Sequence, residues 1–248
     1  MQTPHSTPTP QDQLPRNHRR GNRRRVLTGG LSLLLAWVVA DLGWPVQSDI
    51  RTFDYRQIAR MDAQMWKSYY AREPVKLFGQ LARLLREQYG APFLRSHLIA
   101  YYAARAAFVF KDGHNRREYQ KALPPLTRLY AQINRMSREP IDADRAARLE
   151  LEWWIIHRQR EHHRPGDLER ALARTAAAIY HQPAEAMLPH ARYRAAAMHI
   201  RDTKAVNGGL QAEDWRQIEA LLLSSWRELW EVVGQEGART ADSEQTER

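Results

Sequence analysis

The stretch Pro74–Gly90, PVKLFGQLARLLREQYG, decides the fold class. One face of it carries side chains at spacings of three or four residues: Val75, Phe78, Leu81, Leu85 and Gln88. This spacing is the period of an amphipathic α-helix. A proline in the first turn and a glycine just past the last turn are the expected bounds of such a helix. The stretch therefore predicts a helix of about four turns.

The same spacing and the same bounding residues recur on both sides of this stretch, from Asp54 to Val233. Upstream, the residues at helical spacing are Tyr55, Ile58, Met61, Met65 and Tyr69. Downstream, Asn115 and Asp142 are candidate N-caps, and Pro124-Pro125 must kink or restart a helix. No segment in this range has a convincing alternating strand pattern with tight hairpin turns.

We therefore predict an all-α fold, in which residues 50–233 form a compact bundle of seven to eight helices. The alternative is a solenoid of helix pairs, because consecutive helices can be grouped into units of roughly 40 residues. The signature residues of tetratricopeptide repeats do not recur at fixed offsets in this sequence, which favours the bundle.

An arginine block precedes a long apolar segment near the N-terminus. Six arginines lie between Arg16 and Arg25, directly before Val26–Ala40, which contains no charge. Cationic residues stay on the cytoplasmic side during insertion, while the apolar segment enters the bilayer. Apolar residues beyond Asp41 extend the segment to about 20 residues, the length that a bilayer requires. We therefore predict a transmembrane or signal helix at residues 26–46, after an Arg-rich, disordered cytoplasmic tail at residues 1–25.

Two fates of this segment stay open. If it is not cleaved, it anchors the protein in the cytoplasmic (inner) membrane by a single pass. Residues 50–233 then form an extracytoplasmic, periplasmic domain, followed by a disordered tail at residues 234–248. If it is cleaved before Asp41, where Val38-Val39-Ala40 suits a signal peptidase, the product is a soluble periplasmic protein.

Within the arginine block, Asn22–Thr28, NRRRVLT, resembles a twin-arginine export signal. The paired arginines, the spacer and the two apolar residues follow that pattern. Val26 and Thr28 stand where phenylalanine and lysine are often seen. Because any Arg-rich stretch before an apolar segment fits this pattern, ordinary insertion is the favoured interpretation.

The net charge of +10 is shared between this leader and the rest of the chain. Residues 1–40 contain six arginines and one aspartate, so half of the excess positive charge lies there. The remainder is mildly basic and has no basic stripe with interleaved aromatic residues, which argues against nucleic-acid binding. The chain has no cysteine, which excludes disulfides, thiolate metal sites and a cysteine nucleophile.

Leu98–Phe110, LIAYYAARAAFVF, contains Arg105 as its only charged residue. A lone charge in apolar surroundings costs several kcal/mol unless it is paired. We therefore predict that Arg105 is buried with a partner. It would be either an anion clamp in a cavity or, as the structural alternative that we favour, an ion pair or cation–π contact between two helices.

Leu149–Arg158, LELEWWIIHR, places Glu150 and His157 two turns apart on one aromatic-lined helix face. A carboxylate and an imidazole on such a face suit general acid–base chemistry or metal ligation. The favoured alternative is a core helix, in which Glu150 meets Arg105 or Arg194 and His157 bonds a backbone carbonyl.

A third mixed face, in RYRAAAMHIRD, carries Arg194 and Asp202. A fourth face, in the stretch that begins at Tyr55, carries Asp62 beside Trp66, Tyr69 and Tyr70. If these four helix faces converge, they enclose a polar pocket in an aromatic shell. The candidate site residues are then Arg105, Glu150, His157, Arg194 and Asp202. If the same side chains pair off without leaving space, they belong to the core.

Several motifs of established chemistry are missing. The sequence has no Glu-x-x-His, His-Glu-x-x-His or Gly-x-Ser-x-Gly, and no Gly-rich phosphate loop. No metal site or cofactor is therefore predicted. Non-covalent haem or a metal stays open, because one histidine or methionine suffices as an axial ligand of haem iron.

Three segments, Met65–Tyr70 (MWKSYY), Leu149–Arg158 and Arg194–Asp202, resemble an uncharacterised bacterial family of N-terminally anchored, all-helical proteins. The resemblance covers residues 50–233 and implies a helical domain without assigning catalytic residues. We expect a binding or assembly component of the cell envelope, with the membrane and either envelope proteins or a lipid-like ligand as partners. The alternative is a small-ligand-binding protein or an enzyme that uses the five-residue cluster.

Overall fold

The computed structural model describes residues 18–43 and 45–246, and their side chains from residue 29 to residue 234. The chain divides into two units, residues 1–43 and residues 44–248. Residues 1–17, most of the predicted cytoplasmic tail, lie outside the described residues.

The first unit contains one helix, α1 (His18–Gly43). It begins inside the predicted disordered tail, since no proline between Pro15 and Pro45 prevents a helix there. Its exposed apolar side chains are Leu31, Leu33, Leu34, Leu35, Trp37, Val39 and Leu42. Among the residues whose side chains are described, no helix is both long enough and apolar enough to cross a bilayer. Residues 26–28 and Trp44 of the predicted segment 26–46 lie outside that set.

The second unit is helical throughout its described length. Its α-helices are α2 (Tyr55–Tyr70), α3 (Pro74–Tyr89), α4 (Phe93–Lys111), α5 (Arg116–Tyr119), α6 (Leu123–Asn134), α7 (Ala143–Arg158), α8 (Asp167–Tyr180), α9 (Leu188–Val206) and α10 (Ala212–Thr246). Single 3₁₀ turns follow α5 and α7, at Gln120–Ala122 and Arg160–His162. The described residues contain no strand beyond an isolated bridge between Ser48 and Ser137. The prediction of an all-α fold is confirmed.

Local capping explains where α2, α5 and α7 begin and where α3 ends. The Asp54 carboxylate accepts hydrogen bonds from the backbone N–H groups of Arg56 and Gln57 at the start of α2. Asn115 and Asp142 cap α5 and α7 in the same way. Gly90 ends α3 in the left-handed conformation, with φ of 62°, which glycine adopts without steric cost.

The long helices pack as neighbours in chain order, and the order closes on itself. Each of α2, α3 and α4 contacts the next, α4 contacts α6, and the succession continues through α7, α8 and α9 to α10. The last helix, α10, then packs against the first, α2. An open solenoid keeps its terminal helices apart, so this closed cycle favours the bundle. The cycle surrounds a main core whose most deeply buried members include Ile58, Ile99, Leu126 and Ile155. A second, smaller cluster contains Ala63, Ala197, Ile218 and Leu222.

The end of α10 differs from the predicted boundary. The sequence predicts a disordered tail from residue 234, whereas α10 continues through Gly234 to Thr246. Glycine weakens a helix interior only by about 1 kcal/mol relative to alanine, and no proline follows Pro189 in the chain. The helix therefore has no strong stop signal after Val233.

Candidate functional site

The five candidate residues do not converge on one site. Glu150 and Arg194 lie in separate clusters, Arg105 lies on the surface, and His157 pairs with Asp202. These five residues therefore do not line a common pocket.

The predicted burial of Arg105 is wrong. Arg105 is exposed on α4, together with Tyr101 at 49% and Phe108 at 61% exposure. The helix packs inward through a different face, which buries Ile99 and Ala106. Because Leu98–Phe110 is apolar on nearly every side, its spacing could not show which face is inside. In solvent, a guanidinium group needs no partner.

Arg194 belongs to a buried cluster that joins α2, α9 and α10. Its Nη1 donates to Oδ2 of Asp62 at 2.7 Å, and the Trp226 indole N–H donates to the same oxygen at 2.9 Å. The guanidinium also lies 5.8 Å from the centre of the Trp66 ring. Burial lowers the pKa of Arg194, but the Asp62 carboxylate raises it by more than burial lowers it. The pKa of Arg194 therefore lies above its usual value. The cluster is an ion pair that holds three helices together.

Glu150 has two partners, and neither is an arginine. Its carboxylate accepts hydrogen bonds from Tyr130 Oη and from Trp154 Nε1, both at 3.0 Å. Burial, followed by the negative charge of Glu150, raises the pKa of Tyr130 well above its usual value. The predicted contact of Glu150 with Arg105 or Arg194 is not made, and Tyr130 instead links α6 to α7.

Two further buried tyrosines extend this polar interior towards α3 and α8. Gln88 Nε2 donates to Tyr180 Oη at 2.9 Å, and Tyr89 also hydrogen-bonds Tyr180. Burial raises the pKa of Tyr180 to about 12. These phenols therefore stay protonated and act as hydrogen-bonding groups of the core, because a buried polar group without a partner is costly.

The accessible cluster forms where α2, α7 and α9 meet, and we call it the His157 site: Tyr70, His157, Arg160, Arg201 and Asp202. His157 Nε2 and Arg160 Nη1 both donate to Asp202 Oδ2 at 2.9 Å. Arg201 Nη1 donates to Asp202 Oδ1 at 2.9 Å, and its guanidinium carbon lies 3.5 Å from the centre of the Tyr70 ring. The site therefore has one buried carboxylate at its centre.

The electrostatics of the His157 site favour an ionised Asp202. Burial raises the pKa of Asp202, but hydrogen bonds from His157 and Arg201 lower it more, so the net pKa is below its usual value. The His157 side chain keeps 25% of its surface exposed, whereas Asp202 keeps 7%. An imidazole that is held by a carboxylate and reaches solvent can relay a proton. The sequence predicts Glu150 as the acidic neighbour of His157, whereas the structure places Asp202 there.

Removing the central carboxylate should weaken the fold more than removing the imidazole. Asp202→Ala is expected to lower the free energy of unfolding by about 2–3 kcal/mol, since it leaves Arg201 and His157 without their acceptor. His157→Gln should cost only about 1 kcal/mol, because both arginines still pair with Asp202. Urea denaturation at neutral pH measures both changes. As a control, Asp112→Ala at an exposed position should change the free energy of unfolding by no more than about 0.5 kcal/mol. A loss with Asp202→Ala as small as that of this control would contradict the central role of Asp202.

Two grooves on the surface of the second unit lie away from the His157 site. One, of about 400 Å³, is lined by Arg145, Arg174 and His181 among others, and a second, of about 570 Å³, includes Phe53 and Trp230. Neither is lined by any of the five candidate residues. In the described part of the chain, no three His, Asp or Glu side chains are grouped to hold a metal ion.

The local spacing identifies Asp62 as an ionisable residue beside aromatic side chains, but it predicts neither its pairing with Arg194 nor the contacts of Tyr130 and Trp226. Asp62 lies one turn after the apolar Ile58 on the same helix face, and in the structure it is buried. An acidic residue on a buried stripe implies a cationic partner. Which helix supplies that partner depends on packing, which no local spacing reports.

Comparison with known proteins adds no assignment. No protein-family model, curated protein or solved structure matches this chain. The resemblance to an anchored, all-helical bacterial family therefore stays a prediction, and the contacts above are the basis for inferring function.

Proposed function

We propose that this protein is a membrane-anchored, extracytoplasmic component of the cell envelope, in which a closed helical bundle binds or assembles other envelope components. The observation that carries the proposal is α1, in which most apolar side chains from Leu31 to Leu42 are exposed, downstream of a block of arginines. Catalysis is secondary in this proposal.

The exposed surface of α1 needs an apolar environment. Its four leucines from Leu31 to Leu35 are 53–75% exposed, and Val39 is 70% exposed. Burying each such side chain is worth roughly 1.5–3 kcal/mol. A helix that is apolar on all sides belongs in a protein core or in lipid, and the preceding arginines would remain on the cytoplasmic side.

The interior of the second unit supports binding or assembly rather than catalysis. Arg194 is paired with Asp62, and Glu150 is engaged by Tyr130 and Trp154. These charged groups of the core therefore link helices to one another. Interactions of the unit with other molecules would then use its outer surface.

A pair of reporter fusions at the C-terminus tests the topology. A reporter enzyme that folds only outside the cytoplasm should be active when fused after Arg248, and a fluorescent reporter that matures only in the cytoplasm should stay dark. The opposite pattern would overturn the extracytoplasmic location. The mass of the purified chain separates an anchor from a signal, because cleavage before Asp41 removes the first 40 residues.

Charged substitutions in α1 should release the chain from the membrane. Leu33→Arg should destabilise insertion by about 2.5–3.5 kcal/mol near a helix centre, and a second change, Leu35→Arg, should add to this. The expected result is loss of the chain from the carbonate-washed membrane fraction. Val206→Arg is the matched control, because Val206 is 80% exposed on α9 and Leu33 is 75% exposed. Retention of the double variant at the control level would contradict anchoring by α1.

A second candidate function, a small-ligand site or an enzyme, is favoured by one observation only. At the His157 site, a partly exposed imidazole lies beside Arg160, which is 49% exposed, with a shared carboxylate behind them. Purification of the native protein from membranes, with an absorbance spectrum, metal analysis and mass spectrometry of bound molecules, tests this function. A haem spectrum or a ligand that His157→Gln abolishes would support it, whereas a colourless, ligand-free protein would count against it.

A further inference from the structure

The outer face of α4 is apolar over most of its length. Leu94, Leu98, Tyr101, Arg105 and Phe108 follow one another at alternating spacings of four and three residues, which places them on one side of the helix. Each is exposed or half-buried, although α4 packs its other sides against α3 and α6. Scattered exposed apolar residues are ordinary, but a continuous stripe of them marks an interaction surface.

The margins of this stripe are aromatic and cationic. Phe93, at the start of α4, is 52% exposed, and the guanidinium of Arg86 lies 5.4 Å from the centre of its ring. Helix α4 contains no acidic residue. Among the described residues, neither Arg105 nor Lys111 has a carboxylate partner. On the adjoining α3, Val75 is 87% exposed, and the neighbouring Lys76 is paired with Glu73.

We propose that this outer face of α4, with the start of α3, rests on a bilayer surface that contains anionic lipid. Tyrosine and phenylalanine favour the interfacial region of a bilayer, and arginine and lysine extend their charged ends to lipid headgroups. The proposal rests on the anchoring of the chain by α1, which keeps the second unit near such a surface.

The chemistry of the face favours lipid over a protein partner. A typical protein interface carries about ten direct hydrogen bonds. Along the stripe from Leu94 to Phe108, the only side chains able to form hydrogen bonds are those of Tyr101 and Arg105. A hydrocarbon boundary with anionic headgroups needs few hydrogen bonds and attracts a cation such as Arg105, which has no carboxylate partner among the described residues.

The absence of cysteine allows a site-specific test in the full chain. Ala104→Cys places a thiol between Tyr101 and Phe108 without removing either, and Val206→Cys places one at the exposed end of α9. Each variant is labelled with an environment-sensitive dye and reconstituted into vesicles of phosphatidylcholine, with or without phosphatidylglycerol. Dye emission and quenching by aqueous iodide report contact with lipid.

The dye at position 104 should shift to the blue and become shielded from iodide only in the phosphatidylglycerol vesicles. Raising the ionic strength to about 1 M, where the Debye length is about 3 Å, should reverse the shift. The dye at position 206 should remain accessible in both vesicles. Equal accessibility at the two positions would overturn the proposal. A shift that grows with the protein-to-lipid ratio would also overturn it, because contact between copies of the chain would then be responsible.

Charge variants test the role of the cations. Arg105→Gln with Lys111→Gln should weaken the contact about fivefold for each charge removed and return the dye at position 104 to its state in phosphatidylcholine. Arg174→Gln with Arg192→Gln removes two exposed charges from α8 and α9 and should leave the signal unchanged. If both double substitutions weaken the dye signal equally, the overall charge of the protein attracts the lipid, and the proposed role of this face is overturned.

Failure of the proposed anchoring gives a different result from failure of this inference. Release of the chain by a carbonate wash contradicts anchoring by α1, and the dye is then measured with the released protein added to vesicles. Retention of the chain with an accessible dye at position 104 contradicts the lipid-facing role of α4 alone.

Discussion

Replacing Asp62 with alanine is expected to lower the free energy of unfolding by about 3–5 kcal/mol. The reason is that one oxygen of Asp62 accepts hydrogen bonds from both Arg194 and Trp226, and the residue is 3% exposed. Its removal leaves a guanidinium charge and an indole N–H in the core without their acceptor. Urea denaturation of the purified chain at neutral pH measures the change.

Two further variants show whether the loss comes from the unpaired charge. Glu219→Ala removes the partner of Lys67 in an ion pair that also joins α2 to α10 but is nearly half exposed, so it should cost no more than about 1 kcal/mol. Asp62→Leu combined with Arg194→Met replaces both charges by apolar groups and should recover part of the stability. A loss with Asp62→Ala as small as that with Glu219→Ala would refute the proposed role of this ion pair.

Acidification is expected to destabilise the fold through His190. Burial lowers the pKa of His190 to about 4, whereas an unfolded histidine has a pKa of about 6.5. Above pH 6.5, roughly, both states are neutral and the group has no effect. Between about pH 6.5 and pH 4, His190 binds a proton in the unfolded chain but not in the folded chain. Stability should therefore fall by up to about 1.4 kcal/mol for each pH unit, or about 3 kcal/mol in total.

The environment of His190 explains why it resists protonation. The residue is 7% exposed, its Nδ1 lies 2.9 Å from both the backbone oxygen and the hydroxyl of Ser225, and Trp226 packs against the ring. His190→Gln should flatten the slope of unfolding free energy against pH between about pH 7 and pH 5. His199→Gln, at an exposed position on the same helix, should leave the slope intact. An unchanged slope in the His190 variant would assign the acid sensitivity to other groups.

The all-α class and most helix bounds could be predicted because their signals are local. Pro74 and Gly90 bound α3, and Asp54 caps α2, within a few residues of where each helix begins or ends. Pro124-Pro125 restarts the chain as α6 for the same reason. Such signals depend on backbone sterics and on neighbouring N–H groups, both of which the sequence specifies directly.

The candidate site was harder to predict because its contacts join distant helices. Glu150 and His157 share a helix face, as expected, but seven residues separate them by about 10 Å along the axis. They therefore meet different neighbours, Tyr130 on α6 and Asp202 on α9. Helix α4 is apolar, as the sequence predicts, but it presents Arg105 to solvent. A helix that is apolar on most sides has no periodicity that shows which side faces the core.

The closed cycle of helices has a consequence for biogenesis. Asp62 and Trp226, which join the first and last helices of the cycle, are 164 residues apart in sequence. A nascent polypeptide emerging N-terminus first cannot complete this contact until α10 has left the ribosome or the translocation channel. Non-local contacts of this kind slow folding, and incomplete chains expose apolar surface in the meantime. Truncated or stalled products that lack α10 should therefore be substrates for chaperones and proteases.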